Sequence, residues 1–220
     1  MTKLQVKTSE LYNCDIDYIA ELFEAEYPWE ILPKIRTHVA NLIKEGIAGF
    51  REIKPGILVG DNVKIAPTAT IIPPAIIGDN TEIRPGAYLR GNVITGPDCV
   101  IGNSSELKNC VLLKHCQVPH YNYVGDSILG NNAHMGAGSI CSNLKSDGRN
   151  IVIHADNDLE TGLRKIGGIL GDGADIGCGS VINPGTIIGQ NTRVYPLTPL
   201  RGVYPPNSIV KTQTEIIEMK

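Results

Sequence analysis

Two basic residues and one histidine lie at spacings that could serve chemistry. Arg90 and Lys108 are 18 positions apart, and His120 follows Lys108 by 12 positions. Two basic side chains that a fold holds close together repel each other, so such a pair suits an anion such as phosphate between them. A histidine can accept a proton near neutral pH, because the pKa of free imidazole is about 6.5. Read singly, the two bases could equally be solvated surface charges, and His120 a structural histidine.

The chain that must position these residues follows a repeat of six. Its register positions are Val59, Ile65, Ile71, Ile77, Ile83, Leu89, Thr95, Ile101, Leu107 and Leu113, then Leu129, Met135 and Cys141, and later Leu170, Ile176, Ile182, Ile188, Val194 and Leu200, nearly all of them aliphatic. Helices bury residues at a period near 3.6 and strands at a period of 2, so a period of six indicates a short strand followed by a corner. The predicted fold class is therefore an all-β solenoid.

In this repeat the sequence resembles the hexapeptide-repeat acyltransferases. The resemblance implies a left-handed parallel β-helix, with three hexapeptides in each triangular coil, and a homotrimer. With 18 residues per coil, Arg90 and Lys108 would share one corner of adjacent coils, about 4.8 Å apart. The β-helix acetyltransferase domain is predicted at residues 56–210, followed by a C-terminal tail at 211–220.

Two breaks interrupt the register. The first separates Leu113 from Leu129 by 16 residues, which is two hexapeptides plus four extra residues in the segment 118–123. A bulge in that segment would move His120 off the coil wall. The second break, residues 145–167, is too long for a corner and too polar for a coil. We expect it to project as a loop or hairpin, which a trimer would place against a neighbouring chain.

Residues 1–55 lie outside the register and form a predicted N-terminal helical segment. The stretches 15–26 and 33–45 carry apolar residues at helical spacing, and Gly46 suits a C-terminal cap. Because the ends of a solenoid need covering, this segment is expected to cap the first coil.

A longer motif narrows the resemblance. The sequence PHYNYVGDS occupies residues 119–127, GAG follows at 136–138, Asn143 precedes the predicted loop, and ETGLRKIG occupies 160–167. At this spacing the chain resembles the C-terminal acetyltransferase domain of bifunctional UDP-N-acetylglucosamine pyrophosphorylase/glucosamine-1-phosphate acetyltransferases, in particular the archaeal sugar-1-phosphate nucleotidylyltransferase type. The resemblance extends over about two thirds of the chain.

The resemblance implies a role for each residue at a matching position. His120 would be the general base of the reaction. Arg90 and Lys108 would bind the phosphate of the substrate. Tyr123 and Asn143 would orient its sugar.

Two further substrate-binding residues depart from the family's pattern. His134 stands where the bacterial enzymes have a sugar-contacting Asn, and Arg149 stands where a Lys is expected, which keeps the charge but changes the shape. The pantetheine arm of CoA would lie in a groove between two chains, against the backbone near Ala137 and Cys178. No metal is predicted for acetyl transfer.

The expected reaction is acetyl-CoA-dependent N-acetylation of an amino-sugar phosphate, such as glucosamine 1-phosphate, in the synthesis of nucleotide sugars such as UDP-N-acetylglucosamine. No Gly-rich nucleotide-binding segment precedes the coils. Pyrophosphorylase activity is therefore not expected.

Two functions of other classes remain open. Hexapeptide-repeat trimers include the γ-class carbonic anhydrases, which hold zinc with three histidines across a subunit interface. His115 and His120 have the H-x4-H spacing of that family, but no histidine lies between His38 and His115 to supply the third ligand. The other possibility is a non-catalytic trimer, either regulatory or nucleotide-sugar-binding.

Composition limits the partners and the compartment. The chain has 220 residues and a formal net charge of -3, so it lacks a basic field for nucleic acid or a membrane surface. It has no apolar run near the ~18 residues of a membrane span, and the start MTKLQVKTSE lacks the apolar stretch of a signal peptide. A cytoplasmic protein with six reduced cysteines and no structural zinc is expected.

Overall fold

A computed structural model describes residues 4–219, which form a short helical segment followed by a parallel β-helix of about nine turns. The α-helices are Thr8–Leu11, Asp17–Ala20 and Ile35–Glu45, and the 3₁₀ helices are Glu21–Glu24 and Pro28–Glu30. The predicted fold class, a left-handed β-helix of hexapeptide repeats with a short N-terminal helical segment, is confirmed.

The first face of each coil is buried on both sides, and we call it the covered face. Its strands are Ile57–Val59, Ala75–Ile77, Val93–Thr95, residues 110–112 and 127–129, Gly168–Leu170, Thr186–Ile188 and Val203–Tyr204. Up to residue 188, all three residues of each of these strands are buried. Such strands are apolar on both sides rather than alternating, which is typical of a sheet covered on both sides.

The other two faces alternate between buried and outward residues. The strands of the second face, the middle face, are Lys64–Ile65, Glu82–Ile83, Val100–Asn103, Gln117–His120, His134–Met135, Asp175–Ile176, Arg193–Val194 and Ser208–Val210. The strands of the third face, the site face, are Thr70–Ile72, Tyr88–Arg90, residues 106–108 and 123–125, Ile140–Cys141, Val181–Ile182 and Pro199–Leu200. Two longer strands, Glu106–Leu112 and Tyr123–Leu129, continue from the site face onto the covered face.

Residues with a left-handed backbone conformation turn the chain at the three corners. The asparagine corner, between the covered and middle faces, contains Asn62, Asn80, Asp98, His115, Asn132, Asn191 and Asn207. The His120 corner, between the middle and site faces, contains Ser104, Tyr121 and Leu197 with Gly86, Gly138 and Gly179. The Asp126 corner, between the site and covered faces, contains Asn92, Asn109 and Asp126. Asn and Asp suit such positions because their short polar side chains tolerate this conformation.

The structure contradicts the predicted four-residue bulge before Leu129. Leu112, rather than Leu113, pairs with Leu129, and this coil and the preceding one have 17 residues each. Each of these coils is shorter because a single residue turns the chain at the Asp126 corner, Asn109 in the first and Asp126 in the second, with φ values of 47° and 48°. His120 leaves the wall for another reason: it ends the strand Gln117–His120 and lies at the next corner.

The helices of the N-terminal segment cover a side of the solenoid, so the prediction that they cap the first coil was wrong, and only Arg51–Lys54 at the end of the segment pairs with that coil. Its apolar residues, including Leu11 and Trp29, form one cluster with the outward side chains of the covered face. Those outward side chains are Leu58, Ile76, Ile94, Val111, Ile128, Ile169 and Ile187. Tyr18 Oη donates a hydrogen bond of 2.9 Å to the carbonyl of Thr95. The row of isoleucines extends over most of the coils, and a cap on the first coil would leave it in water.

Short antiparallel strands close both ends of the β-helix. Arg51–Lys54 pairs with the first strand of the covered face, and Ile216–Glu218, within the predicted tail, pairs with the last strand of the middle face. The second predicted break contains a hairpin of Val152–His154 and Asp158–Glu160. Ile151 and Ile153 at its base are buried in the same cluster as the covered face, so this hairpin packs partly on its own chain.

All six cysteines are free in the structure, and Cys99, Cys110, Cys116 and Cys141 are buried inside the coils. Burial raises the pKa of Cys141 to about 12, which keeps this thiol protonated at neutral pH. Within residues 4–219, no helix has the length and apolar character that crossing a membrane requires.

Candidate functional site

His120, Ala137 and Cys178 lie in one row along the His120 corner. The N–H of Gly138 donates to the His120 carbonyl at 2.9 Å, and the N–H of Gly179 donates to the Ala137 carbonyl at 2.8 Å. Because neighbouring coils are about 4.8 Å apart, Ala137 lies one coil and Cys178 two coils from His120. All three residues are exposed. The fold therefore brings the predicted base and both predicted CoA-contacting residues to one edge.

The imidazole of His120 is the one histidine ring without a partner in the part of the chain that the structure describes. The other four rings each have a nitrogen within 4 Å of a carboxylate. The pairs are His38–Glu21 at 3.4 Å, His115–Asp98 at 3.9 Å, His134–Asp175 at 2.9 Å and His154–Asp158 at 2.8 Å. An exposed ring with no protein partner leaves both nitrogens available to a ligand.

Asn122 holds the backbone of the His120 corner, a role that the spacing of the sequence does not indicate. Its buried Oδ1 accepts the N–H of His120 at 3.0 Å, and its Nδ2 donates to the Gly136 carbonyl at 2.8 Å in the next coil. Its own N–H donates to Ser105 Oγ at 3.2 Å in the preceding coil. Asn122 belongs to the PHYNYVGDS motif, but the motif alone does not tell which of its side chains point inward.

Arg90 and Lys108 lie at the same edge of the site face in adjacent coils, because the strands that carry them pair in register. Each base already has a carboxylate partner. Arg90 Nη1 is 2.6 Å from Glu106 Oε1, and Lys108 Nζ is 3.7 Å from Asp126 Oδ2. Repulsion between the two bases is thus offset without an anion between them. The Arg90–Glu106 pair is solvent-exposed, and such pairs contribute little to stability, so an incoming phosphate can compete for Arg90.

Tyr123 and Asn143 meet across adjacent coils beside this pair. Asn143 Nδ2 lies 3.3 Å from Tyr123 Oη and 2.5 Å from Asp126 Oδ2. Burial, reinforced by the charges of Asp126 and Glu106, raises the pKa of Tyr123. Its hydroxyl therefore stays protonated at neutral pH and can donate a hydrogen bond to a substrate oxygen.

Two predicted site residues, His134 and Arg149, lie apart from the His120 corner and from the basic pair within one chain. His134 is on the middle face, with its Nδ1 at 2.9 Å from Asp175. Arg149 precedes the hairpin, where its backbone N–H donates to Asp147 Oδ1 at 3.0 Å. Among the described residues its guanidinium forms no hydrogen bond or ion pair with another predicted site residue.

The two histidines of the carbonic anhydrase alternative, His115 and His120, do not converge within one chain either. His115 lies at the asparagine corner and His120 at the opposite end of the middle face, about 16 Å away along an extended strand. Among the residues that the structure describes, no group of three His, Cys, Asp or Glu side chains could hold a metal ion.

The fold and its stacked corners define a hexapeptide-repeat β-helix protein. A family model described as the GMPPB C-terminal domain matches residues 71–162. The bifunctional protein GlmU of Methanococcus aeolicus is 34% identical over 194 residues, which are 86% of this chain and 47% of that protein. The bifunctional sugar-1-phosphate nucleotidylyltransferase/acetyltransferase of Sulfurisphaera tokodaii is 33% identical over 186 residues, which are 82% of this chain and 46% of that protein.

The chain thus spans about half the length of the curated relatives it matches, and the resemblance read from its motifs is confirmed. Among solved structures, the chain is similar to a mutant of AntD, an N-acyltransferase from Bacillus cereus, in complex with dTDP and coenzyme A. The TM-score is 0.41 and the sequence identity is 19%, and the match covers 79% of this chain and 92% of that chain. The acetyltransferase domain of PglB from Neisseria gonorrhoeae has a TM-score of 0.36 and 15% identity, over 79% and 60% of the two chains.

Proposed function

We propose that this chain is an acetyl-CoA-dependent N-acetyltransferase whose acceptor is an amino-sugar phosphate. The observation that carries the proposal is the row at the His120 corner, where an imidazole with no partner among residues 4–219 shares an edge with Ala137 and Cys178. The adjoining site face supplies the basic side chains of Arg90 and Lys108. The relative of Sulfurisphaera tokodaii, named as a sugar-1-phosphate nucleotidylyltransferase and acetyltransferase, supports the same reaction.

The chemistry assigned to this site is attack of the substrate amine on the thioester carbonyl of acetyl-CoA. His120 accepts the proton that the amine loses as the new C–N bond forms. The C–S bond then breaks, and the CoA thiolate takes up the proton from His120. Arg90 and Lys108 hold the phosphate, while Tyr123 and Asn143 orient the sugar.

A homotrimer is part of this proposal, because it would bring His134, Arg149 and a second coil face to the site. Large apolar side chains are exposed on the site face and the His120 corner. They are Ile72, Tyr88, Tyr121, Ile140, Val181, Tyr195 and Leu197, the last with 80% of its surface exposed. Exposed apolar patches mark contact surfaces, and the covered face is already occupied by the N-terminal segment. Sedimentation should give three times the chain mass of 23.7 kDa, and a monomer at micromolar concentration would contradict the trimer.

Thiol release from acetyl-CoA tests the function directly. We expect turnover with an amino-sugar 1-phosphate, and weaker turnover with the same sugar without phosphate, because Arg90 and Lys108 then lose their ligand. Amino sugars linked to UDP form the third arm of the panel. A chain that binds UDP-sugars but releases no thiol with any amino sugar would be a binding protein instead.

His120→Ala tests the assignment of the base. Loss of a general base typically lowers the rate by about 10² to 10⁴. We expect a fall of this size in kcat with a nearly constant KM for the sugar phosphate, whose phosphate contacts remain. His115→Ala is the matched control, since it removes an exposed histidine from the opposite end of the same face. If the His120→Ala variant keeps most of its kcat, another group removes the proton.

A further inference from the structure

Asp126 lies between three residues assigned to the substrate, namely Lys108, Tyr123 and Asn143. Its Oδ2 accepts the Asn143 Nδ2 donor at 2.5 Å and lies 3.7 Å from Lys108 Nζ. Its Oδ1 accepts Asn109 Nδ2 at 2.9 Å. Through Asn143 it is connected to Tyr123 Oη, 3.3 Å further on. One carboxylate thus links side chains from three successive coils.

The burial of Asp126 makes these contacts hard to exchange for water. The residue is 6% exposed, and an ionised carboxylate at such a depth needs hydrogen bonds and a counter-charge. Asn109, Asn143 and Lys108 supply them. The N–H of Gly167, at the end of the hairpin segment, also donates to the Asp126 carbonyl at 2.7 Å. The position of the carboxylate is therefore fixed on several sides.

Asp98 is an acidic corner residue outside the candidate site, so it can be compared with Asp126. Asp98 lies at the asparagine corner, also in the left-handed conformation, with a φ of 59° against 48° for Asp126. It accepts a hydrogen bond of 3.1 Å from Asn80 and lies 3.9 Å from His115 Nδ1, but its side chain is 38% exposed, against 9% for that of Asp126. Turning the chain thus does not require the burial that Asp126 has.

We infer that Asp126 is a positioning residue of the acetyl-acceptor site: it fixes the amide of Asn143 and the ammonium of Lys108 where the sugar phosphate binds. The inference rests on the proposed function. Asp126 does not touch the substrate, because Asn143 and Lys108 lie between them. By holding Asn143, it also orients the hydroxyl of Tyr123.

The test begins with Asp126→Asn in the full chain. Asparagine keeps the size and the tolerance for the left-handed conformation. It has one oxygen where the carboxylate has two, so one of the donors Asn109 and Asn143 loses its acceptor, and Lys108 loses its counter-charge. With glucosamine 1-phosphate and acetyl-CoA, we expect kcat/KM for the sugar phosphate to fall on the order of 10-fold, the scale of coupling within one hydrogen-bond network. KM for acetyl-CoA should stay unchanged, because Ala137 and Cys178 lie at the other corner.

Asp98→Asn is the matched control, with the same substitution at a corner residue outside the site. It should leave both KM values and kcat at the wild-type level. A purely structural Asp126 would instead make Asp126→Asn lower the melting temperature and affect both substrates alike.

A double-mutant cycle with Asn143→Ala isolates the positioning role. If Asp126 acts through Asn143, Asp126→Asn should have most of its effect in the wild type and little in the Asn143→Ala background. Independent, multiplying effects would overturn the inference, as would an Asp126→Asn variant with wild-type kinetics. A wild type that shows no thiol release with any amino-sugar phosphate would overturn the proposed function, and this inference with it.

Discussion

The covered face and the site face are built from equally short strands of the same coils, yet only one of them is open. On the covered face, outward side chains such as Ile76 and Ile94 are fully buried beneath the N-terminal segment. On the site face, the outward positions carry Tyr88, Arg90 and Glu106 and face solvent. A strand with apolar residues on both sides requires a cover, whereas alternation leaves one side available to a ligand or another chain.

This difference explains where the candidate site lies. The N-terminal segment occupies the covered face along most of the β-helix, so a ligand or a second chain can reach only the middle face, the site face and the corners that border them. His120, Arg90 and Lys108 all lie on that accessible part. The segment that was expected to cap one end of the solenoid thus determines which faces remain for function.

Truncating one outward isoleucine on each face should give the largest contrast in stability. Ile94 on the covered face is 0% exposed, and Ile140 on the site face is 39% exposed. Ile94→Ala leaves a cavity beneath the N-terminal segment and should lower the free energy of unfolding by about 2–5 kcal/mol. In the separated chain, Ile140→Ala should change it by about 0.5 kcal/mol or less, as is usual for surface positions. Urea denaturation at a protein concentration that dissociates the proposed trimer measures both, and equal losses would show that the two faces are covered alike within one chain.

Removing one tyrosine hydroxyl at the covered face and one at the site face should give a smaller difference in the free energy of unfolding. Tyr18 in the N-terminal segment donates to the Thr95 carbonyl at 2.9 Å, and its side chain is partly buried. Tyr18→Phe should cost about 1 kcal/mol, because the carbonyl then loses its side-chain donor. Tyr88 on the site face makes no hydrogen bond through its hydroxyl among the described residues, and its ring faces Arg90 at 5.9 Å. At a protein concentration that dissociates the proposed trimer, Tyr88→Phe should be neutral within the error of denaturation curves, and a loss equal to that of Tyr18→Phe would contradict the assignment of the open face.

Much of the fold could be predicted from the sequence, because the period of six directly reports inward-facing residues. The prediction did not identify the covered face, although the sequence contains a pattern that distinguishes it. Ile57-Leu58-Val59 and Ala75-Ile76-Ile77 are continuous apolar triplets, whereas Tyr88-Leu89-Arg90 alternates. The register considered only one residue in six, so the outward Leu58 and Ile76 did not enter the interpretation. A comparison of the flanking positions would have distinguished the face that needs a cover.

The site was predicted less completely, for a physical reason. Spacing places residues along the coil, so it correctly put Arg90 and Lys108 in adjacent coils. It does not show which acids approach them, because Glu106 and Asp126 reach these bases through side-chain conformation. The roles of all the predicted site residues remain predictions that the experiments on His120 and Asp126 address.

The smallest expected effects on stability concern Asp15 and Asp172, whose carboxylates bond the N-terminal segment to the β-helix at the edge of the covered face. Asp15 lies 2.6 Å from Lys114 Nζ, and the hydrogen bond from this lysine lowers the pKa of Asp15. Asp172 accepts the N–H groups of Asn13 and Asn131 at 2.9 and 2.7 Å. Burial nevertheless raises the pKa of Asp172, and these hydrogen bonds only partly oppose the shift.

Opposite pKa shifts imply opposite dependences of stability on pH. A carboxyl whose pKa is lower in the folded state stabilises the fold above its unfolded pKa, and this contribution is lost as the pH falls through the folded value. A carboxyl whose pKa is raised contributes below its unfolded pKa, and its contribution is lost as the pH rises through the folded value. The stability difference between wild type and Asp15→Asn should therefore increase from pH 3 to pH 6, and that between wild type and Asp172→Asn should decrease. Urea denaturation across this range measures both slopes. Slopes of the same sign would mean that Asp172 is held as a paired surface charge, and that the edge of the covered face is as open to water as the site face.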